Sequence, residues 1–129
     1  MIGIDTNLLV RFFINDDKTQ ALYAKKLIEN NSIFISKSVL LETEWVLRYT
    51  YERSQAEIRK AFEGLLGLPH ITVEDPACII KTMQWYNHDF DFADAMHLAS
   101  SHIADEFATL DKAFIKRAKK INIKLITMD

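Results

Sequence analysis

Ile33-Phe34-Ile35-Ser36-Lys37-Ser38-Val39-Leu40-Leu41-Glu42-Thr43-Glu44-Trp45-Val46-Leu47 is the stretch on which the fold turns. Ile33–Ser36 is short and almost wholly apolar. That predicts a strand buried on both faces, the kind found in parallel sheets. At Ser38 the pattern changes to helical spacing, and a serine suited to capping an N-terminus opens the predicted helix Ser38–Glu52. Strand leading directly into helix is the unit from which α/β proteins are built.

The same alternation extends in both directions. Met1–Asp5, Ile71–Val73, Phe107–Thr109 and Lys124–Thr127 read as further short apolar strands. Lys18–Glu29, Ser54–Leu66, Ala77–Asn87, Phe92–Ile103 and Lys112–Lys119 read as helices, and Ser54 with Glu57 forms a capping-box signature. The expected class is α/β, a three-layer α/β/α sandwich around a central, mostly parallel sheet of about five strands. A chain of 129 residues predicts one domain, 1–129, with enough apolar material (49%) for a core of its own.

Composition excludes several classes. One cysteine, Cys78, rules out a disulfide framework or a cysteine-rich metal site. A net charge of −2 means that any nucleic-acid partner must use a local basic patch. No apolar run approaches the ~20 residues of a membrane span. Asp5 and Arg11 interrupt what would be a signal peptide, so a cytoplasmic protein without membrane association is expected.

Four of the 18 acidic residues fall where ligands bind in open parallel sheets, beyond the carboxyl ends of strands. Asp5 ends the first predicted strand, Glu42 lies one turn into the helix after the second, and Asp111 follows the fourth. Asp94 sits in the first turn of a crossover helix that starts at that same edge. Each Asp has an ordinary alternative as a helix cap, with Asp91 and Asp94 spaced as an N-cap and N3 pair. Glu42 has apolar helical neighbours in Val39, Trp45, Val46 and Tyr49, where a bare carboxylate is costly. Glu44 has similar neighbours, so position after the strand decides for Glu42. Two carboxylates about 5 Å apart repel by roughly 3 kcal/mol at an effective dielectric near 20. Gathered acids therefore call for a cation, and an all-oxygen set suits Mg²⁺ or Mn²⁺. The implied chemistry is metal-assisted phosphodiester hydrolysis.

Ile4-Asp5-Thr6-Asn7-Leu8-Leu9-Val10-Arg11, Val39 to Leu47, Asp91-Phe92-Ala93-Asp94-Ala95-Met96-His97-Leu98-Ala99 and Phe107-Ala108-Thr109-Leu110-Asp111 together resemble the PIN-domain ribonucleases. The nearest group in pattern is the VapC-type toxins of toxin–antitoxin pairs. The resemblance implies Asp5, Glu42, Asp94 and Asp111 as catalytic metal ligands, with Thr6, Asn7 and Thr109 as polar supports. It implies Mg²⁺ or Mn²⁺ as cofactor, RNA as substrate, a homodimer, and a cognate antitoxin that covers the cleft. Asp91 departs from the pattern as an extra acid, read as a cap or an outer support of Asp94. A housekeeping PIN nuclease of RNA processing is the close alternative. A receiver-like signalling domain with an acidic Mg²⁺ pocket is the distant one, weakened because only Asp5 ends the first strand.

Among other residues, Arg11 reads either as an exposed helix charge, as a phosphate contact or as an intramolecular partner for a site acid. Lys112, Lys116, Arg117, Lys119, Lys120 and Lys124 form a basic run that is either a solvated face or a track for RNA. His97 and His102 are expected as ordinary helix residues. Trp45, Tyr49, Tyr51, Trp85 and Tyr86 are expected in the core or at an interface, and Phe12, Phe13 and Ile14 at a partner surface.

Overall fold

A computed structural model describes residues 1–128 and divides into two compact units, Met1–Pro76 and Ala77–Asp129. The first is built on the expected alternation. Its strands β1 (Ile2–Gly3), β2 (Ile33–Ile35) and β3 (Ile71–Val73) form one parallel sheet in the order β1-β2-β3. The register pairs Ile2 with Ile33 and Ile33 with Ile71. Central β2 buries Ile33 and Ile35 completely, as a strand covered on both faces must.

Helices α1 (Thr6–Phe13), α2 (Lys18–Asn30), α3 (Lys37–Tyr49) and α4 (Gln55–Leu66) complete this unit. Their starts follow from side chains written in the sequence. Asp5, Asp17, Ser36 and Ser54 each accept a backbone N–H of the first turn, and Ser54 with Glu57 closes the expected capping box. The cap of α3 is Ser36 rather than Ser38, so the helix begins one residue earlier than expected. Leu9, Val10, Ala24, Ile28, Leu40, Leu47, Ile58, Phe62 and Leu65 are buried.

The second unit holds α5 (Pro76–Tyr86), whose first residue closes the preceding unit, α6 (Phe92–Ser100) and α7 (Lys112–Lys120). Its core gathers Phe90, Ala95, Phe114 and Ala118, with Trp85, Phe107, Ile123 and Leu125 packed against them. Phe114 stacks on Phe107 at 5.5 Å and meets Phe90 edge-on at 5.3 Å. Asn122, just past the end of α7, takes a left-handed φ of 60°, a conformation asparagine tolerates.

The sheet corrects the expected strand number: it has three strands, not about five. Phe107–Thr109 and Lys124–Thr127 make a single parallel bridge, Ala108 to Ile126, held by the N–H of Ile126 on the Phe107 carbonyl (2.8 Å) and that of Thr109 on the Ile126 carbonyl (3.3 Å). The reason lies in burial. Phe107, Ile123 and Leu125 turn toward the Phe114 cluster, while Ala108, Lys124 and Ile126 between them face solvent. These runs pack on one face only, so nothing holds a longer ladder. Among the described residues, no helix is long and apolar enough to cross a membrane.

Candidate functional site

In the first unit the sheet itself sets the acids. Because β1 and β2 run parallel, both leave the sheet at one edge, β1 into α1 and β2 into α3. Asp5 stands at the first of these exits, where its Oδ1 accepts the N–H of Leu8 at 3.0 Å. Glu42 stands one turn into α3, exposed to solvent. Asp5, Thr6, Asn7, Ser38, Val39 and Glu42 line one open concavity of about 440 Å³. Ser38 was not expected there as a lining residue, although its four-residue spacing from Glu42 places both on one helical face.

Of the two acids on α3, Glu42 is exposed and lines the concavity with Asp5. Trp45 and Tyr49 are 55% and 59% exposed, so the face carrying them is no apolar seam. The buried acid is Glu44, at 2% exposure, which pairs with Arg48 at 3.1 Å. Glu44 is thus occupied within the fold by Arg48, whereas Glu42 stands open in the concavity with Asp5.

The second unit positions its acids through helix caps. Asp91 caps α6, its Oδ2 accepting the N–H of Asp94 at 3.1 Å. Asp111 caps α7, its Oδ1 accepting from Ala113 (2.9 Å) and Phe114 (3.1 Å). The Thr109 hydroxyl in turn accepts the Asp111 N–H at 3.1 Å, beside the acid as expected. Both the capping and the site readings therefore describe the same side chains. Asp94 is half-buried, and its carboxyl is pushed above the ordinary aspartate range, first by burial and then by the charges of Asp91 and Asp111. His97 and Arg117 act in the opposite direction. Arg117 was not anticipated beside Asp94; its signal is a lone Arg within a lysine run.

Arg11 is engaged within the first unit. Its guanidinium pairs with Asp16, donates to Gln20 Oε1 (2.9 Å) and reaches the Tyr51 hydroxyl (3.3 Å). The contact with Arg11 holds the Asp16 carboxyl below its usual range. Its partner is Asp16, which is not one of the candidate site acids. Ile14 is a core residue and Phe13 packs on Phe62 at 5.9 Å. Cys78 and Tyr86 are buried, while Trp45 and Tyr49 are surface.

The donor set is carboxylate oxygen throughout, which fits a hard divalent ion. The Asp94 carboxyl is raised first by burial and then by Asp91 and Asp111, and a nearby cation would act in the opposite direction. Within either unit, no three Asp, Glu, His or Cys side chains among the described residues converge as a ready-made cage. Mg²⁺ seldom uses one: one or two carboxylates, water and substrate phosphate commonly hold it.

A family model for the PIN domain matches residues 2–120, a span that contains all four acids. The chain belongs to the PIN domain family. PIN domains are generally nucleases and typically use divalent metal ions, so family membership agrees with the chemistry of the donor set and displaces the receiver-like alternative. No curated protein matches the chain.

Proposed function

We propose that this PIN domain is a Mg²⁺- or Mn²⁺-dependent endoribonuclease that hydrolyses RNA phosphodiester bonds, and that it is the toxin of a VapC-type toxin–antitoxin pair. The observation that carries the nuclease reading is the PIN domain match over residues 2–120, a span that holds Asp5, Glu42, Asp94 and Asp111. Asp5, Glu42, Asp94 and Asp111 are the residues assigned to the metal. When bound, a divalent ion supplies Lewis-acid polarisation of the phosphodiester and charge neutralisation. Thr6 and Asn7, beside Asp5 in the concavity, orient the acid or the attacking water. Thr109 fixes the backbone from which Asp111 projects. Asp91 supports Asp94 through the helix cap.

Partners follow from the surface. Trp45 and Tyr49, 5.3 Å apart and exposed, favour association through α3, as in a homodimer. A cognate antitoxin is the partner expected to block the cleft, and the cytoplasm is the compartment where both would meet RNA. Purified protein incubated with RNA and Mg²⁺ or Mn²⁺ should cleave it, and EDTA should stop the reaction. Induced expression should arrest growth, with relief by the product of an adjacent small gene. Cleavage without growth arrest would leave the nuclease reading standing and move the protein to housekeeping RNA processing.

A further inference from the structure

Three helices of the first unit each pair a charge along the helix. Lys25 faces Glu29 (4.0 Å), Arg48 faces Glu44 (3.1 Å) and Arg59 faces Glu63 (3.8 Å), each at a spacing of four residues. Helix α7 does the reverse. Lys112, Lys116 and Lys120 also stand four residues apart, but all carry the same sign, an arrangement that opposes helix formation. Residues 112–128 contain six Lys and Arg and no Asp or Glu, in a chain whose net charge is −2.

The helical repeat puts Lys112, Lys116, Lys119 and Lys120 on one arc, opposite buried Phe114 and Ala118. All four are exposed, and none forms an ion pair among the described residues. Arg117 lies off this arc, half-buried, with its charge acting on Asp94. The helix dipole accounts for Lys119 and Lys120 in the last turn, but it disfavours Lys112 in the first. Folding alone therefore gives no reason for the stripe. At its N-terminal end α7 is capped by Asp111, an acid of the candidate site. A polyanion approaching gathered carboxylates needs a compensating positive surface alongside them.

We infer that the lysine stripe of α7 is a backbone track for single-stranded RNA, leading along Lys120, Lys119, Lys116 and Lys112 to the acids at the helix N-terminus. This inference rests on the nuclease reading for its direction but not for its binding. Lysine presents a mobile point charge rather than a planar fork, so the track reads phosphates and not sequence. The exposed, acid-free arc fits an extended anionic chain better than a compact anion.

The test is fluorescence anisotropy of a labelled twelve-nucleotide oligouridylate, titrated with the full chain in EDTA at several salt concentrations. Four phosphate contacts predict a slope of log K against log salt of about −3, at about −0.7 per contact for single strands. The triple variant Lys116→Gln/Lys119→Gln/Lys120→Gln should bind more weakly and flatten the slope by about 2. Lys18→Gln/Lys26→Gln/Lys60→Gln removes the same charge from elsewhere and should leave the slope unchanged. Equal loss in both triple variants, or none in the first, overturns the track. Binding to phosphatidylserine vesicles in preference to the oligonucleotide, abolished by the α7 variant, also overturns it. RNA binding with the stated slopes in a protein that cleaves nothing with Mg²⁺ leaves the track standing and removes the nuclease reading. Cleavage at unchanged kcat/KM in the α7 variant does the converse.

Discussion

The two units present their acids on different scaffolds. In the first, a hydrogen-bonded parallel ladder fixes where β1 and β2 end, with Asp5 there capping α1 and Glu42 one turn into α3. In the second, the described residues contain only one bridge, and Asp91, Asp94 and Asp111 are placed by helix caps over an aromatic cluster. A sheet edge tolerates exposed, separate carboxylates. A pair of capped helices holds Asp94 half-buried near Asp91 and Asp111, which raises its carboxyl above the ordinary aspartate range. One hydrogen bond serves two ends here: the cap that starts α6 or α7 also fixes where a candidate site carboxylate stands.

The largest expected effect separates metal ligation from mere capping. Asp5→Ala in the first unit and Asp94→Ala in the second should each lower RNA cleavage by about 1,000-fold or more, since a metal ion contributes several kcal/mol to charge stabilisation. Circular dichroism should show both variants folded. Full activity in either one would confine the reaction to the other unit's acids.

Next in size is the aromatic support of the second unit. Phe114→Ala should cost about 3–5 kcal/mol in urea unfolding, the usual range for emptying a buried aromatic site. It should also speed hydrogen exchange at the Ala113 and Phe114 amides that Asp111 caps. Unchanged exchange there would mean that the caps stand without the cluster.

A smaller effect belongs to Ser54 and Asp111. Ser54→Ala removes a cap with no other duty and should cost about 1 kcal/mol. Asp111→Ala breaks two capping bonds yet relieves Asp94, so its cost should be lower than that of Ser54→Ala in metal-free buffer. Thermal melts of the two variants side by side give the comparison.

The smallest is a pH slope. A carboxyl whose folded pKa lies above its unfolded value holds protons more tightly in the native state. The chain should therefore lose stability as pH rises from near the ordinary aspartate value of 3.8 through the raised value of Asp94. Asp94→Asn should flatten that slope, and Mg²⁺ should stabilise the wild type at neutral pH but not the variant. A slope unaltered by Asp94→Asn would assign it to another group.

Much of this was legible in the residues. Ser54 with Glu57, and Asp91 with Asp94, carry capping information within four residues, so helices α4 and α6 start where the sequence says. Strand ends followed by helices gave Asp5, Glu42 and Asp111 their positions without any knowledge of packing. Less legible was the fate of the acids on α3. Periodicity assigned Trp45 and Tyr49 to a covered face, but periodicity names a face without saying which neighbour, if any, meets it.

The sequence by itself determined the order of elements and the caps that begin them, which rest on residues close in the chain, and the family, which rests on motifs spaced along residues 2–120. Tertiary structure alone decided that Phe107–Thr109 and Lys124–Thr127 form a bridge rather than two strands, that Glu44 and not Glu42 is buried, and that Arg117 acts on Asp94. A ladder lengthens only where burial on both faces holds the pairing. Asp94 changes its proton affinity because burial and charges as far along the chain as Asp111 and Arg117 come against it.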